Sequence, residues 1–333
     1  MTTHRLLAAT LAAAALTAAP ALAQERSTTL ALPATAIHFT PIYIAADAGL
    51  WKKRGLDVKL PLIAGPGATN AVISGSADFA STAATSVLRA AARGQPMLIV
   101  GTTHAELLSE VVISEKAARE RKFDPKADLA TRVRALQGMT LAIDTPLGLP
   151  HGIIKYLGAK AGINADQTMT LTPMQPPNMV ASLKSGAIDG FIFSEPFVAL
   201  AVAQGGVIAV RNARDEMPEL NPYASNTIVT RPDYCKQQPT VCRDLVAGLA
   251  EALKIMQDEP ERARTILRER FANLPPAVLD QSFELIRKTS PKTPLTEEKA
   301  LLNTQQFALT AGTLTPDQKR ADLKGLFTNE YAQ

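Results

Sequence analysis

Tryptophan and cysteine are the scarcest residues here: one Trp and two Cys in 333 residues, with aromatics at only 5%. Two cysteines are too few for a disulfide-stapled miniature domain or a four-cysteine metal ribbon. The four histidines are scattered and none lies near a cysteine, so no metal-ligand spacing is present. Neither sign of charge dominates: 35 Lys and Arg against 31 Asp and Glu give +4. The basic clusters at Lys52–Arg54 and Arg119–Lys122 have no aromatics between them. That argues against a nucleic-acid groove and for solvated helix faces. A Gly-rich phosphate loop ending in Gly-Lys-Ser/Thr is missing, as is a Gly-x-Ser-x-Gly nucleophile elbow.

Long apolar runs are missing too, except at the start. Leu6–Ala19 is an uncharged, Ala- and Leu-rich run behind His4 and Arg5, followed by Ala21-Leu22-Ala23. It is shorter than the roughly 20 residues a spanning helix needs. Residues 1–23 read as a secretory signal peptide, cleaved near Ala23, and the remainder as a soluble exported chain. Its length suits two domains. In an exported chain the even cysteine count favours a disulfide between Cys235 and Cys242 over a metal site.

What is present is a recurring strand, Gly/Pro turn and helix. The first and most informative copy is His38–Leu60. His38-Phe39-Thr40-Pro41 is a turn, and Ile42–Arg54 places Ile44, Ala45, Ala48 and Trp51 at helical spacing, closed by Gly55. Trp51 is expected to pack this helix onto a sheet. Leu56–Leu60 alternates like a half-buried strand. Such a turn sits at the crevice end of an open α/β sheet, where ligands bind; an ordinary unit without a site has the same spacing. Gly65-Pro66-Gly67-Ala68-Thr69-Asn70 then leads into a second helix.

Ser81 or Thr82 is placed to cap the helix Ala83–Arg93 or to face the crevice. His104 ends the apolar strand Met97–Gly101 and its Thr-Thr extension, either at the surface or against a ligand. Glu110–Ser114 reads as a strand, and the densely charged residues 115–134 as an exposed connection between two bodies. The pattern resumes with Gly138–Asp144, the turn Thr145–His151 and a helix, and later with Ile188–Phe193 and Ser194-Glu195-Pro196. Ser225–Thr230 reads as a strand returning to the first body, and the chain is helical from Arg231 onward.

The ordered set PIYIAADAGLWKKRGLDVKL, the Gly65–Asn70 turn, SGSADFASTAATSVLRAAARGQP, LQGMTLAIDTPLGLPHGIIKYLGAKAGI and SLKSGAIDGFIFSEPF resembles the nitrate/sulfonate/taurine-type periplasmic substrate-binding proteins. That family also includes binders of pyrimidine precursors of thiamine. The resemblance implies an α/β two-domain clamshell of the type II periplasmic-binding-protein class. It has two chain crossovers and C-terminal helices packing on domain one. Domain one would hold 24–114 and 225–333, and domain two 115–224. It further implies a monomeric periplasmic solute-binding component that captures a small molecule by hinge closure and docks on ABC importer permease subunits. Neither catalysis nor a cofactor is implied. A same-scaffold enzyme of pyrimidine or menaquinone precursor metabolism, or a periplasmic sensor, is the alternative.

Carried over motif by motif, the cleft residues are His38, Phe39, Thr40 and Tyr43, then Gly67 and Thr69, then Ser81, Thr82 and Thr85. Thr145, Gly148, Leu149 and His151 come from the second turn, with Ser194 and Glu195 from the last motif; His104 joins them by its position. Where oxyanion binders place Gly with hydroxyls, this chain has Leu147-Gly148-Leu149-Pro150. The missing hydroxyls weaken the case for a compact anion and favour a planar or partly apolar ligand, with or without an acidic group. Glu195 is placed either to receive a ligand amine or simply to complement a helix dipole.

Overall fold

The structure, a computed structural model, describes residues 26–211 and 213–332. The expected signal segment lies outside them. The chain opens with β1 (Arg26–Ala31), the 3-10 turn Ile37–Phe39, α1 (Thr40–Asp47), β2 (Leu56–Lys59), α2 (Gly67–Ser74), β3 (Phe79–Thr82), α3 (Ala84–Ala92) and β4 (Leu98–His104). It continues as β5 (Glu110–Ile113), α4 (Glu115–Glu120), α5 (Leu129–Arg134), β6 (Thr140–Ile143), α6 (Leu149–Lys160), α7 (Ala165–Thr168), β7 (Thr170–Pro173) and α8 (Pro176–Ser185). β8 (Gly190–Phe193), α9 (Phe197–Ala203), β9 (Val207–Val210), α10 (Ala213–Glu216) and β10 (Asn226–Thr230) follow. The last stretch is helical: α11 (Tyr234–Gln237), α12 (Pro239–Asp258), α13 (Pro260–Arg270), α14 (Pro276–Thr289) and α15 (Glu298–Thr310).

The strands form two five-stranded sheets, ordered β2-β1-β3-β10-β4 and β7-β6-β8-β5-β9. In each, four strands run in one direction and the fourth in the order, β10 or β5, runs antiparallel to both its neighbours. β5, β8 and β10 are buried along their whole length, as expected of strands covered on both faces by helices. The chain passes from the first sheet to the second through residues 105–109 and returns through 211–225. The two passages run side by side, with the Tyr223 N–H donating to the Ala105 carbonyl at 2.8 Å.

Three expectations change here. Glu110–Ile113, assigned to the first unit, pairs with β8 and β9 in the second sheet, so the crossing precedes residue 110 rather than residue 115. The charged residues 115–134 are not a bare connection. They hold α4 and α5, capped by the side chains of Ser114 and Asp128, and they put Ala117 and Val133 into the second core. The helix begun at Thr40 stops at Asp47, because Gly49 adopts a left-handed φ of +65°. The Gly49 and Leu50 N–H groups then close it on Ala46 and Ala45.

Trp51 packs helix against helix. Its Nε1 donates to the Leu245 carbonyl of α12 at 2.9 Å, and its indole lies over Gly248. α12 turns Leu245, Leu249, Ala252 and Met256 into the core of the first sheet, with the bonded pair Cys235–Cys242 at its N-terminal end (Cα–Cα 5.7 Å). α15 also reaches the second unit: Phe307 stacks on Tyr156 at 5.2 Å and meets Tyr223 edge-on at 5.4 Å.

Candidate functional site

The carboxyl ends of β3, β4, β6 and β8 open on a cavity of about 240 Å³ between the two sheets. From the first unit it is lined by His38 and Phe39 of the 3-10 turn, Thr69 of α2, Ser81 and Thr82 of β3, Thr85 of α3 and His104 of β4. From the second it is lined by Thr145, Gly148 and Leu149 at the start of α6, and by Ser194 after β8. Eleven of the sixteen residues proposed for ligand contact thus face one space. Across it, Arg89 Nη1 donates to the Leu147 carbonyl at 2.8 Å, and His38 Nδ1 stands 3.5 Å from Ser194 Oγ. A Cβ on Gly65 would lie 3.5 Å from Thr145 Oγ1, so the two walls nearly touch.

Local chemistry sets the shape of the walls. α2, α3 and α6 begin at the cavity with Pro66, Ala83 and Gly148 as N-caps, and no side chain caps any of them. The Gly67, Ala84 and Ser86 N–H groups bond to the Ala64, Ala224 and Ala83 carbonyls; the other first-turn N–H groups have no intrahelical partner by position, which suits ligand acceptors. Ser81, a candidate cap, instead donates to Asn226 Oδ1, whose Nδ2 donates to Thr103 Oγ1 at 2.8 Å. This buried network forms a firm floor. His38 is held at a pKa of about 4 by desolvation and is a neutral imidazole near neutral pH. Asp144 goes the other way, pushed up to about 6 by burial against the opposing pull of the Thr145 N–H at 2.7 Å.

The remaining five proposed contacts do structural work elsewhere. Thr40 donates its hydroxyl to the Ile37 carbonyl and closes the turn. Tyr43 is buried among Phe39, Phe271 and Arg270, whose guanidinium lies 4.5 Å from the ring centroid; burial pushes its hydroxyl up to about 12. Gly67 opens α2, where a Cβ would come within 2.8 Å of Ile63 Cγ2. His151 faces away from the cavity: Nδ1 accepts from the Leu147 N–H at 2.9 Å and Nε2 meets Asp166 Oδ1 at 2.7 Å. Glu195 is turned into its own helix, where Oε2 accepts from the Ala199 N–H at 2.9 Å, beside the positive end of the helix dipole.

Sequence reasoning missed Arg89, Asp144, Asn226 and Phe193, all on the cavity wall. Arg89 had a signal, since it lies four residues after Thr85 on the same helix. Asp144 ends a strand at the crevice edge, the position that singled out His104. Asn226 had none: it reaches the cavity only because β10 inserts between β3 and β4.

Residues 23–268, about three quarters of the chain, match the NMT1-like family. The chain belongs to the NMT1-like family. This NMT1-like protein is 26% identical over 238 residues to the nitrate import ATP-binding protein NrtC of Synechocystis sp., covering 67% of this chain and 34% of that protein. It spans about a third or less of the length of the first curated relatives it matches. It is 24% identical over 265 residues to the putative aliphatic sulfonates-binding protein of Escherichia coli K12, covering 79% and 77%. Among solved structures it resembles the periplasmic aliphatic sulphonate binding protein SsuA from E. coli (TM-score 0.68, 19% identity, 90% and 91% covered). The desulfurization enzyme DSZB has the same fold (TM-score 0.62, 15% identity, 92% and 97% covered). The architecture is the α/β periplasmic-binding-protein fold.

Proposed function

We propose that this chain is the solute-binding component of an ABC importer, acting in the periplasm after cleavage near Ala23. It takes a small organic ligand, planar or partly apolar and with or without an acidic group, into the cavity between its sheets. The observation that carries this reading is the cavity itself. Both units supply walls, and Arg89–Leu147 and His38–Ser194 bring those walls together. The likeness to a sulfonates-binding protein and to part of an import ATP-binding protein supports it.

On this reading residues 26–104 and 226–332 form one domain and 110–210 the other, hinged at 105–109 and 211–225. A ligand that touches both walls only in the closed form shifts the population toward closure. The closed monomer then docks on the importer's membrane subunits, and its ATP-binding component drives transfer. Micromolar capture corresponds to about −8 kcal/mol.

A second reading is an enzyme on this scaffold, favoured by the likeness to DSZB and by a hydroxyl beside a neutral imidazole at Ser194 and His38. One experiment separates the two. Purified protein is saturated with a ligand found by thermal-shift screening, then denatured, and the ligand is analysed by mass spectrometry. The importer reading expects one equivalent recovered unchanged after prolonged incubation; catalytic conversion would overturn it.

A further inference from the structure

Arg89 lies one turn beyond Thr85 on α3, and both face the cavity. Two of its five N–H donors are used, by the Leu147 carbonyl at 2.8 Å and by Ser86 Oγ at 3.4 Å. Among the described residues it has no carboxylate partner. Burial and the like charge of Arg93, which also lines the cavity, both disfavour its charged form. Elsewhere this chain pairs its partly buried arginines with acids, as in Arg132–Glu216 at 2.8 Å and Arg26–Asp244 at 2.7 Å. A half-buried guanidinium without a counter-ion carries a desolvation cost that two hydrogen bonds to neutral groups offset only in part.

The two acids on the cavity wall do not meet that need. Glu106 is not a free carboxylate and makes no ion pair with Arg89. Asp144 is tied by its Oδ1 to the Thr145 N–H on the opposite wall, in surroundings that favour its proton.

The geometry points to a ligand that supplies the missing anion: we propose that the cavity takes organic carboxylates, with the carboxylate seated on the Arg89 guanidinium. This rests on the solute-binding reading. The planar fork of a guanidinium matches a planar carboxylate in a bidentate arrangement. A tetrahedral sulfonate needs donors on more sides, and the facing turn offers Leu147, Gly148, Leu149 and Pro150, with no hydroxyl among them. Phe39, Leu149 and Phe193 supply an apolar wall for the ligand's body.

The test is isothermal titration of the mature chain with matched probes: benzoate, benzamide and benzenesulfonate, and hexanoate with hexanamide. The same titrations are run on Arg89→Gln and Arg89→Lys, with circular dichroism to verify folding. At least one acid is expected to bind roughly 30-fold or more tighter than its amide. Arg89→Gln should erase that preference, so that acid and amide bind alike, and Arg89→Lys should restore part of it. Amides binding as tightly as acids, benzenesulfonate outcompeting benzoate, or an unaltered preference in Arg89→Gln would overturn the assignment and leave the solute-binding reading standing. If no probe binds, native mass spectrometry of the protein as purified decides. A resident molecule with a carboxylate supports the assignment, one without it overturns it, and an empty cavity counts against both readings.

Discussion

His151 supports the ligand-facing turn from behind: its Nδ1 accepts the Leu147 N–H at 2.9 Å while Asp166 holds its Nε2. That bond keeps Leu147 in a left-handed conformation, φ +63°, with its carbonyl turned to Arg89 across the cavity. A leucine adopts such a backbone only when its surroundings enforce it.

His151→Leu is therefore expected to leave a partly buried N–H unsatisfied, at a cost of about 1–3 kcal/mol. Ligand affinity should fall roughly 10-fold or more as the turn loosens. His151→Asn, whose amide oxygen can stand near the Nδ1 position, should retain most of that affinity. Titration of a bound ligand against both variants checks this; equal losses would mean the turn is held some other way.

Two titrations oppose each other in mildly acidic solution. His38, lowered from 6.5 to about 4, makes the folded state bind fewer protons than the unfolded chain, so its contribution to stability is lost as pH falls from about 6.5 toward 4. Asp144, raised from 3.8 to about 6, contributes stability that is present at low pH and lost as pH rises through about 6. Each effect is on the order of 3 kcal/mol. Denaturant melts between pH 4 and 7 should show His38→Gln gaining relative stability toward pH 4, and Asp144→Asn gaining it toward pH 7.

Gly248 sits within a long helix, where alanine ordinarily stabilises by up to about 1 kcal/mol. Here a Cβ would clash with Cδ1 and Nε1 of the Trp51 indole. Gly248→Ala is expected to reverse the sign and destabilise by about 2 kcal/mol or more, displacing the indole from its bond to Leu245. Chemical unfolding followed by Trp51 fluorescence reads both effects.

Cys235 and Cys242 are buried and bonded. Replacing both by serine should cost about 2–3 kcal/mol, because the bridge closes a short loop in the unfolded chain. The native protein should show no free thiol until reduced, which a thiol titration with and without reductant checks.

The sheets, their helices and much of the cavity lining were legible because turn residues and periodicity locate the carboxyl ends of strands, where the site gathers. Pairing was less so. Glu110–Ile113 carries only three apolar residues, Val111 to Ile113, equally suited to either sheet, and only its partners β8 and β9 decide the matter. The charged stretch 115–134 hid two short helices, since its buried apolar residues, Ala117 and Val133, are too few to show a period. His151 and Glu195 stand in cavity-facing motifs, but bonds to backbone groups four residues away turn them aside. Arg89 reads as one more surface cation until the second unit is placed opposite it.

Closure on a ligand is the claim on which the rest depends. Small-angle X-ray scattering of the mature chain, alone and saturated with a ligand of measured affinity, tests it most directly. A smaller radius of gyration at saturation is expected, reached in step with one equivalent of bound ligand. Saturable binding with an unchanged radius would contradict the account.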